Sequence, residues 1–171
     1  LLTNMNSEAH FSVAADGTLA YLLVSRSQAS NLVWFDPSGR PLGTCGSGSY
    51  YRNVAISPDG TRVLADIQRY PQSEVRLISL APGSEVRLAF DAEFASDGVW
   101  HPGGSRIAFA TLRGQHTRIL EADASGLGTP RLLAEGEGFL APRQWSPDGR
   151  ALLADRLASG PGGSDIVQIT P

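Results

Sequence analysis

The chain of 171 residues contains no lysine; all fourteen of its basic residues are arginine. That absence removes whole classes of chemistry. A phosphate-loop lysine, a Schiff-base lysine and the ATP-binding lysine of protein kinases have no counterpart in these residues. Cysteine is almost as scarce. Cys45 stands alone, which excludes an intramolecular disulfide and leaves the redox compartment unmarked. It sits in Gly43-Thr44-Cys45-Gly46, where an inert residue on a glycine-rich connection is expected. No apolar run approaches the roughly 18 residues that a membrane-spanning helix requires, so no membrane insertion by this chain is expected. The three histidines, His10, His101 and His116, show no metal-ligand spacing. No Gly-x-Ser-x-Gly nucleophile elbow occurs, and no calcium-ligand loop surrounds Asp16, Asp59 or Asp148. The expectation is therefore a non-catalytic chain with no metal and no cofactor. A net charge of -3 supplies no general basic surface for nucleic acid. Neither an initiator Met nor a signal peptide opens the sequence, so the chain is expected to begin inside a larger protein or after processing.

What the chain does have is a returning turn. It reads Val13-Ala14-Ala15-Asp16-Gly17, Ile56-Ser57-Pro58-Asp59-Gly60, Trp100-His101-Pro102-Gly103-Gly104 and Trp145-Ser146-Pro147-Asp148-Gly149, with glycines 43, 44 and 45 residues apart. Proline pre-sets φ at the first turn position, Asp bonds to nearby backbone amides, and glycine takes the left-handed conformation at no steric cost. Short apolar runs flank each turn. Asn53-Val54-Ala55-Ile56 enters and Arg62-Val63-Leu64-Ala65-Asp66 leaves; Gly98-Val99-Trp100 enters and Arg106-Ile107-Ala108-Phe109-Ala110 leaves. Such runs suit strands and are too short for helices. A third strand follows a variable loop (Asn31 to Phe35, Glu74 to Ile78, Thr117 to Leu120, Asp165 to Ile169). A fourth, shorter one follows another glycine turn (Pro41 to Gly43, Val86 to Ala89, Arg131 to Leu133). Four antiparallel strands per unit of about 44 residues define a propeller blade. The predicted fold is all-β, a β-propeller of about four four-stranded blades in a single region, residues 1–171. Its units fall at 6–46, 47–90, 91–135 and 136–171, with residues 1–5 as a strand of an adjoining or closing blade.

Large apolar residues keep register with the turn. Ile56, Trp100 and Trp145 lie four places before their glycines, where packing between blades is expected. Tyr50, Phe94 and Phe139 lie ten places before, either packed or showing at the mouth of the ring. Arg26, Arg69 and Arg113 each fall nine residues after a turn glycine, and Arg156 falls seven after Gly149. All four mark the point where the second strand gives way to its loop. Propeller geometry puts equivalent loops on one face, so Arg26, Arg69, Arg113 and Arg156, with Tyr70 beside Arg69, are the candidate binding residues. Two readings stand: charged strand ends in a chain whose only base is arginine, or a ring of guanidinium groups that receives carboxylates.

Strand, Ser-Pro-Asp-Gly, strand resembles the WD40-like propeller repeats of the TolB family. Ile56 to Gly60 and Trp145 to Gly149 match that hallmark fully, His101 to Gly104 in part and Ala15-Asp16-Gly17 weakly. The segment Leu32 to Arg40 followed by Tyr51 to Gly60 also resembles the propeller appended to some bacterial serine/threonine kinases. The resemblance implies a ring that usually has six blades, of which this chain supplies about four. It also implies an extracytoplasmic location. The preferred reading of the residues is a non-catalytic scaffold for protein or peptide, with an acidic partner suited to the arginines. The alternatives are a sensor propeller of a kinase whose catalytic domain lies outside this chain, and the gating propeller of an oligopeptidase-like hydrolase. Open propeller edges would invite self-association.

Overall fold

Each turn glycine closes a hairpin, and the hairpins set the rest of the architecture. The computed structural model describes residues 11–14, 16–17, 19–22, 29–69, 71–80, 84–88, 94–157 and 163–171. In all four turns the glycine N–H donates to the carbonyl three residues back: Gly17 to Ala14, Gly60 to Ser57, Gly104 to His101 and Gly149 to Ser146, at 2.8–3.0 Å. The glycines hold φ between 68° and 85°, which makes each loop a tight turn closed by a left-handed residue. Where the motif is complete, its side chains reinforce it. Ser57 Oγ donates to Asp59 Oδ1 at 2.5 Å and accepts the Arg62 N–H, and Asp59 Oδ1 also accepts the Thr61 N–H. Ser146, Asp148 and Ala151 repeat the pattern.

The described strands are β1 (Phe11–Val13), β2 (Leu19–Leu22), β3 (Ser30–Phe35), β4 (Pro41–Ile56), β5 (Arg62–Arg69), β6 (Gln72–Ser79), β7 (Glu85–Arg87), β8 (Phe94–Trp100), β9 (Arg106–Arg113), β10 (His116–Asp123), β11 (Arg131–Glu137), β12 (Phe139–Trp145), β13 (Leu152–Leu157) and β14 (Ser164–Ile169). They form antiparallel units in chain order: β1 to β4, the second half of β4 to β7, β8 to β11, and β12 to β14. The first strands lie against one another, β1 on β4, β4 on β8 and β8 on β12. The units therefore converge on their first strands, as propeller blades do around an axis. Among the described residues there is no helix, and the fourth blade has three strands.

One expectation needs correction. The fourth strand of the first unit and the first strand of the second do not sit on either side of a connection. They are one continuous strand, β4, whose start pairs with β3 and whose end pairs with β5. Cys45 is consequently a strand residue opposite Leu32. The strand passes from one blade to the next because Gly43 and Gly46 take positive φ within it. At Gly46 a Cβ would collide with the Tyr51 hydroxyl oxygen.

The core lies between blades. Leu32, Trp34, Val54, Ile56 and Val63 close the first junction; Leu64, Val75, Leu77, Trp100 and Phe109 the second; Ala108, Ile119, Leu140, Trp145 and Leu152 the third. The two tryptophans differ in one bond. Trp100 Nε1 donates to the Ala55 carbonyl at 2.9 Å, whereas the buried Trp145 Nε1 makes no hydrogen bond among the described residues. Losing a buried hydrogen-bond partner costs about 1–3 kcal/mol. Trp100→Phe is therefore expected to lower stability more than Trp145→Phe, by about 1 kcal/mol, and urea unfolding of the two variants measures the difference.

Candidate functional site

The hairpins β5–β6, β9–β10 and β13–β14 lie at the end of the blades opposite the Pro-Asp-Gly turns, because each second strand runs from one end to the other. Their closing pairs include Arg69 with Gln72 and Arg113 with His116, and Arg156 pairs with Asp165 one step inside. Arg26 and Tyr70 lie outside the described residues. Of the other three, Arg69 Nε reaches Glu74 Oε1 at 2.9 Å and Arg156 Nη2 reaches Asp165 Oδ2 at 2.8 Å. Arg113 is exposed and has no ion-pair partner among the described residues. Glu74 is itself buried and carries two further guanidinium contacts, from Arg76 and Arg87.

A cleft of about 560 Å³ opens on this end of the first and second blades, lined by Ser49, Tyr50, Ile67, Gln68 and Arg69 among others. Tyr50 is 57% exposed there, while Phe94 and Phe139 at the equivalent positions are half-buried. Of the three aromatics ten places before the glycine, only Tyr50 shows its ring to this degree. Arg52 Nη1 donates to Gln68 Oε1 at 2.9 Å, and Gln68 Nε2 donates to the Gln72 carbonyl, so the cleft floor is braced by polar side chains. The cleft thus combines an aromatic face, an amide and a guanidinium, groups suited to an extended peptide.

A second polar group lies deeper, on the first strands. Three of these strands, β4, β8 and β12, bulge: the register shifts between Tyr51 and Asn53, between Ser96 and Val99, and between Pro142 and Gln144. At the middle bulge Asp97 adopts φ 56°, a conformation that Asp tolerates better than most side chains. The bulge turns the Asp97 and Gly98 N–H groups onto the buried Asp66 carboxylate at 2.7 and 3.3 Å. Burial and the neighbouring Asp97 charge push the Asp66 carboxyl up to about 7, outweighing those two amides. Arg143 then bridges Asp97 at 3.0 Å and Asp155 at 2.7 Å, which links the third and fourth blades. Sequence reasoning missed this network. Its one readable trace was the Asp97-Gly98 dipeptide inside a strand, a bulge signal.

Two remaining sequence candidates have plain surroundings. Burial, with Glu85 adding to it, pushes the Cys45 thiol up to about 11, which leaves it protonated and unreactive. His101 meets the edge of Trp145 at a 4.9 Å centroid distance and accepts the Gly103 N–H on Nδ1. Among the described residues no group of three or more His, Cys, Asp and Glu is arranged to hold a metal ion, and no helix is long and apolar enough to cross a membrane.

Chains folded into sheets around an axis in this way are β-propellers, and solved structures agree. TolB from Acinetobacter baumannii matches 96% of this chain with a TM-score of 0.74 at 18% identity, over 43% of its own length. A TolB-designated protein from Agrobacterium tumefaciens matches 95% with a TM-score of 0.69 at 24% identity, over 57% of its length. The β-propeller domain of the Trilobed protease from Pyrococcus furiosus matches 95% with a TM-score of 0.60 at 13% identity, over 55% of its length. The chain thus has the fold of a TolB-type propeller and spans about half the length of these proteins. No family model matches the sequence, and no curated protein matches it.

The raised Asp66 carboxyl has a consequence for stability. Its protonated form is favoured in the fold, so its contribution is full below the ordinary value of 3.8 and is lost as pH rises towards 7. Asp66→Asn is expected to flatten the fall in urea midpoint over that window. An unchanged slope in the variant would assign the pH dependence to other groups.

Proposed function

We propose that the chain is a non-catalytic propeller scaffold that binds protein or peptide through the hairpin face carrying Arg69. The observation that carries this reading is the cleft that places exposed Tyr50 beside Gln68 and Arg69. Aromatic and arginine side chains are the residue types that dominate binding energy at protein interfaces. Loops that vary on a rigid scaffold are where recognition usually resides. Arg113, free of an ion pair among the described residues, extends the same face and favours an acidic segment in the partner.

A second reading has support of its own. The propeller of the Pyrococcus furiosus protease covers nearly all of this chain, which favours the gating propeller of a hydrolase whose nucleophile lies outside these residues. The kinase-sensor alternative rests on the sequence resemblance alone.

Peptides selected from a random library on the 171-residue chain provide the test. Tyr50→Ala and Arg69→Ala are each expected to weaken the selected peptides about tenfold, equivalent to about 1.4 kcal/mol. Arg113→Ala should weaken acidic peptides less and reduce their salt sensitivity. Cys45→Ser should leave affinity unchanged. Peptides that bind all of these variants with wild-type affinity would remove this face from consideration.

A further inference from the structure

Buried glutamates on two blades collect arginines, and they do so in different ways. In the third blade Glu121 takes Arg106 Nη1 at 3.1 and 3.2 Å and Arg131 Nη2 at 3.1 Å, while Arg106 Nη2 lies 2.8 Å from His101 Nε2. The contacts there are made by the amino tips of the guanidinium groups. In the second blade Glu74, opposite Ile67, meets Arg69 Nε at 2.9 Å, Arg87 Nε at 3.2 Å and Arg76 Nη2 at 2.6 Å. Arg69 and Arg87 therefore spend only their inner nitrogen on Glu74. Both amino groups of each have no partner among the described residues, and the two side chains are 55% and 39% exposed.

The strands bring those two arginines together. Arg87 faces Arg76 across β6 and β7, and the Leu88 N–H donates to the Val75 carbonyl, which carries Arg87 alongside Glu74. Like charges opposite each other on neighbouring strands destabilise a sheet. Here acids hold them, Glu74 between both arginines and Glu85 on Arg76 Nη1 at 2.7 Å. The supply of acid is short. Arg69, Arg76 and Arg87 meet only Glu74 and Glu85 in these contacts, which leaves one positive charge uncompensated. Hydrogen bonding is short as well. Glu74 Oε1 and the Nε atoms of Arg76 and Arg87 are buried without a hydrogen bond among the described residues, a state that buried polar groups rarely keep. Both shortages are of one kind: the cluster lacks a negatively charged acceptor.

We propose that Arg69 and Arg87 form a clamp for one carboxylate, which their free amino groups bind as guanidinium groups bind such ions elsewhere, by paired N–H donors. A single carboxylate restores neutrality to the cluster. Arg69 also lines the cleft beside Tyr50. Glu85 accepts the Ser47 N–H at 2.8 Å, which fastens the cluster to β4 just before that strand lines the same cleft. Because β7 is the outermost described strand of its blade, Arg87 places the clamp at the outer end of the cleft. That the carboxylate belongs to a bound peptide rests on the peptide-binding role proposed above. An acidic side chain and a chain terminus present the same group. Arg87, which no sequence spacing marks, becomes a specificity-determining residue beside Arg69.

The arginine Nε–H resonances of the 171-residue chain, titrated with sodium acetate against sodium chloride of equal ionic strength, provide the test. Arg69 and Arg87 are expected to shift together along one saturable curve that chloride does not reproduce, while Arg118, paired with the exposed Glu135, stays still. Arg87→Gln should weaken acetate about tenfold as read at Arg69, and Arg69→Gln should do the same as read at Arg87. Arg118→Gln should leave both responses unchanged. N-acetylglutamate α-amide and N-acetylglutamine then compare a side-chain carboxylate with a terminal one, and the tighter binder names the form the clamp takes. Two separate curves, shifts that chloride reproduces, or an Arg69 response untouched by Arg87→Gln would each overturn the proposal. Acetate reads the clamp without a peptide. Selected peptides indifferent to Tyr50→Ala and Arg69→Ala, with the acetate response intact, would therefore remove the peptide-binding role and leave the clamp standing.

Discussion

The contact on which this structure depends lies between blades, where the residue four places after one turn glycine meets the first strand of the next blade. A lone blade has apolar side chains on both faces and cannot bury them by itself, so its stability is borrowed from its neighbours. At the second junction the approach is close because of Gly98. A Cβ there would stand 2.6 Å from Leu64 Cδ2 and 3.2 Å from Val75 Cγ1. Arg62 locks the same junction from its edge. Its guanidinium sits 5.0 Å from the centre of the Trp100 ring and donates to the carbonyls of Ala124 and Gly104 at 2.6 and 3.1 Å. At the third junction Arg106, the equivalent residue, turns instead to Glu121 and His101. The apolar contact is common to both junctions; the polar ties are particular to each.

The repeated turn contributes something narrower. It fixes the pairing of the first two strands, and its backbone bonds survive where its side chains have changed. Ala14 stands in place of serine and His101 does so as well, yet both carbonyls still accept the glycine N–H. What those turns lack is the serine hydroxyl, which at Ser57 joins Thr61 in holding the Asp59 carboxyl down at about 2. His101 compensates by bonding the Gly103 amide and by packing on Trp145. The end of the molecule with the turns is therefore built to be constant, which leaves the hairpins at the other end free to differ.

Most of the fold was legible because propeller strands are short, alternate with strong turn signals, and repeat. The expected runs beginning at Arg62, Arg106 and Ala151 all fall in or beside β5, β9 and β13. The continuity of β4 was not legible, since Gly43-Thr44-Cys45-Gly46 carries the composition of a loop and becomes a strand only through pairing with β3. The same holds for the polar network. Asp66 reads as the polar end of a strand, and nothing local marks it as buried. Its burial comes from Asp97 and Gly98, 31 and 32 residues further along, delivered by a bulge. The exposure of Tyr50 against the half-buried Phe94 and Phe139 was equally beyond the reach of one-dimensional register, because the three share one position relative to the turn glycine.

Electrostatics shapes what the hairpin face can recognise. Arg69 faces the buried Glu74, which already holds Arg76 and Arg87. Three guanidinium groups on one carboxylate leave an excess of positive charge, partly balanced by Glu85 on Arg76. An incoming carboxylate at Arg69 therefore meets a cluster that is still short of anions and need not displace Glu74. Arg156 is different, because its partner Asp165 is a single exposed acid that matches it one to one. A ligand gains less there, since exposed ion pairs exchange with little net energy. The face is thus graded, electropositive around the second blade and near neutral at the fourth. On the peptide-binding role proposed above, an acidic peptide that follows this gradient would anchor at the Tyr50–Arg69 cleft and extend across Arg113, with little to hold it beyond.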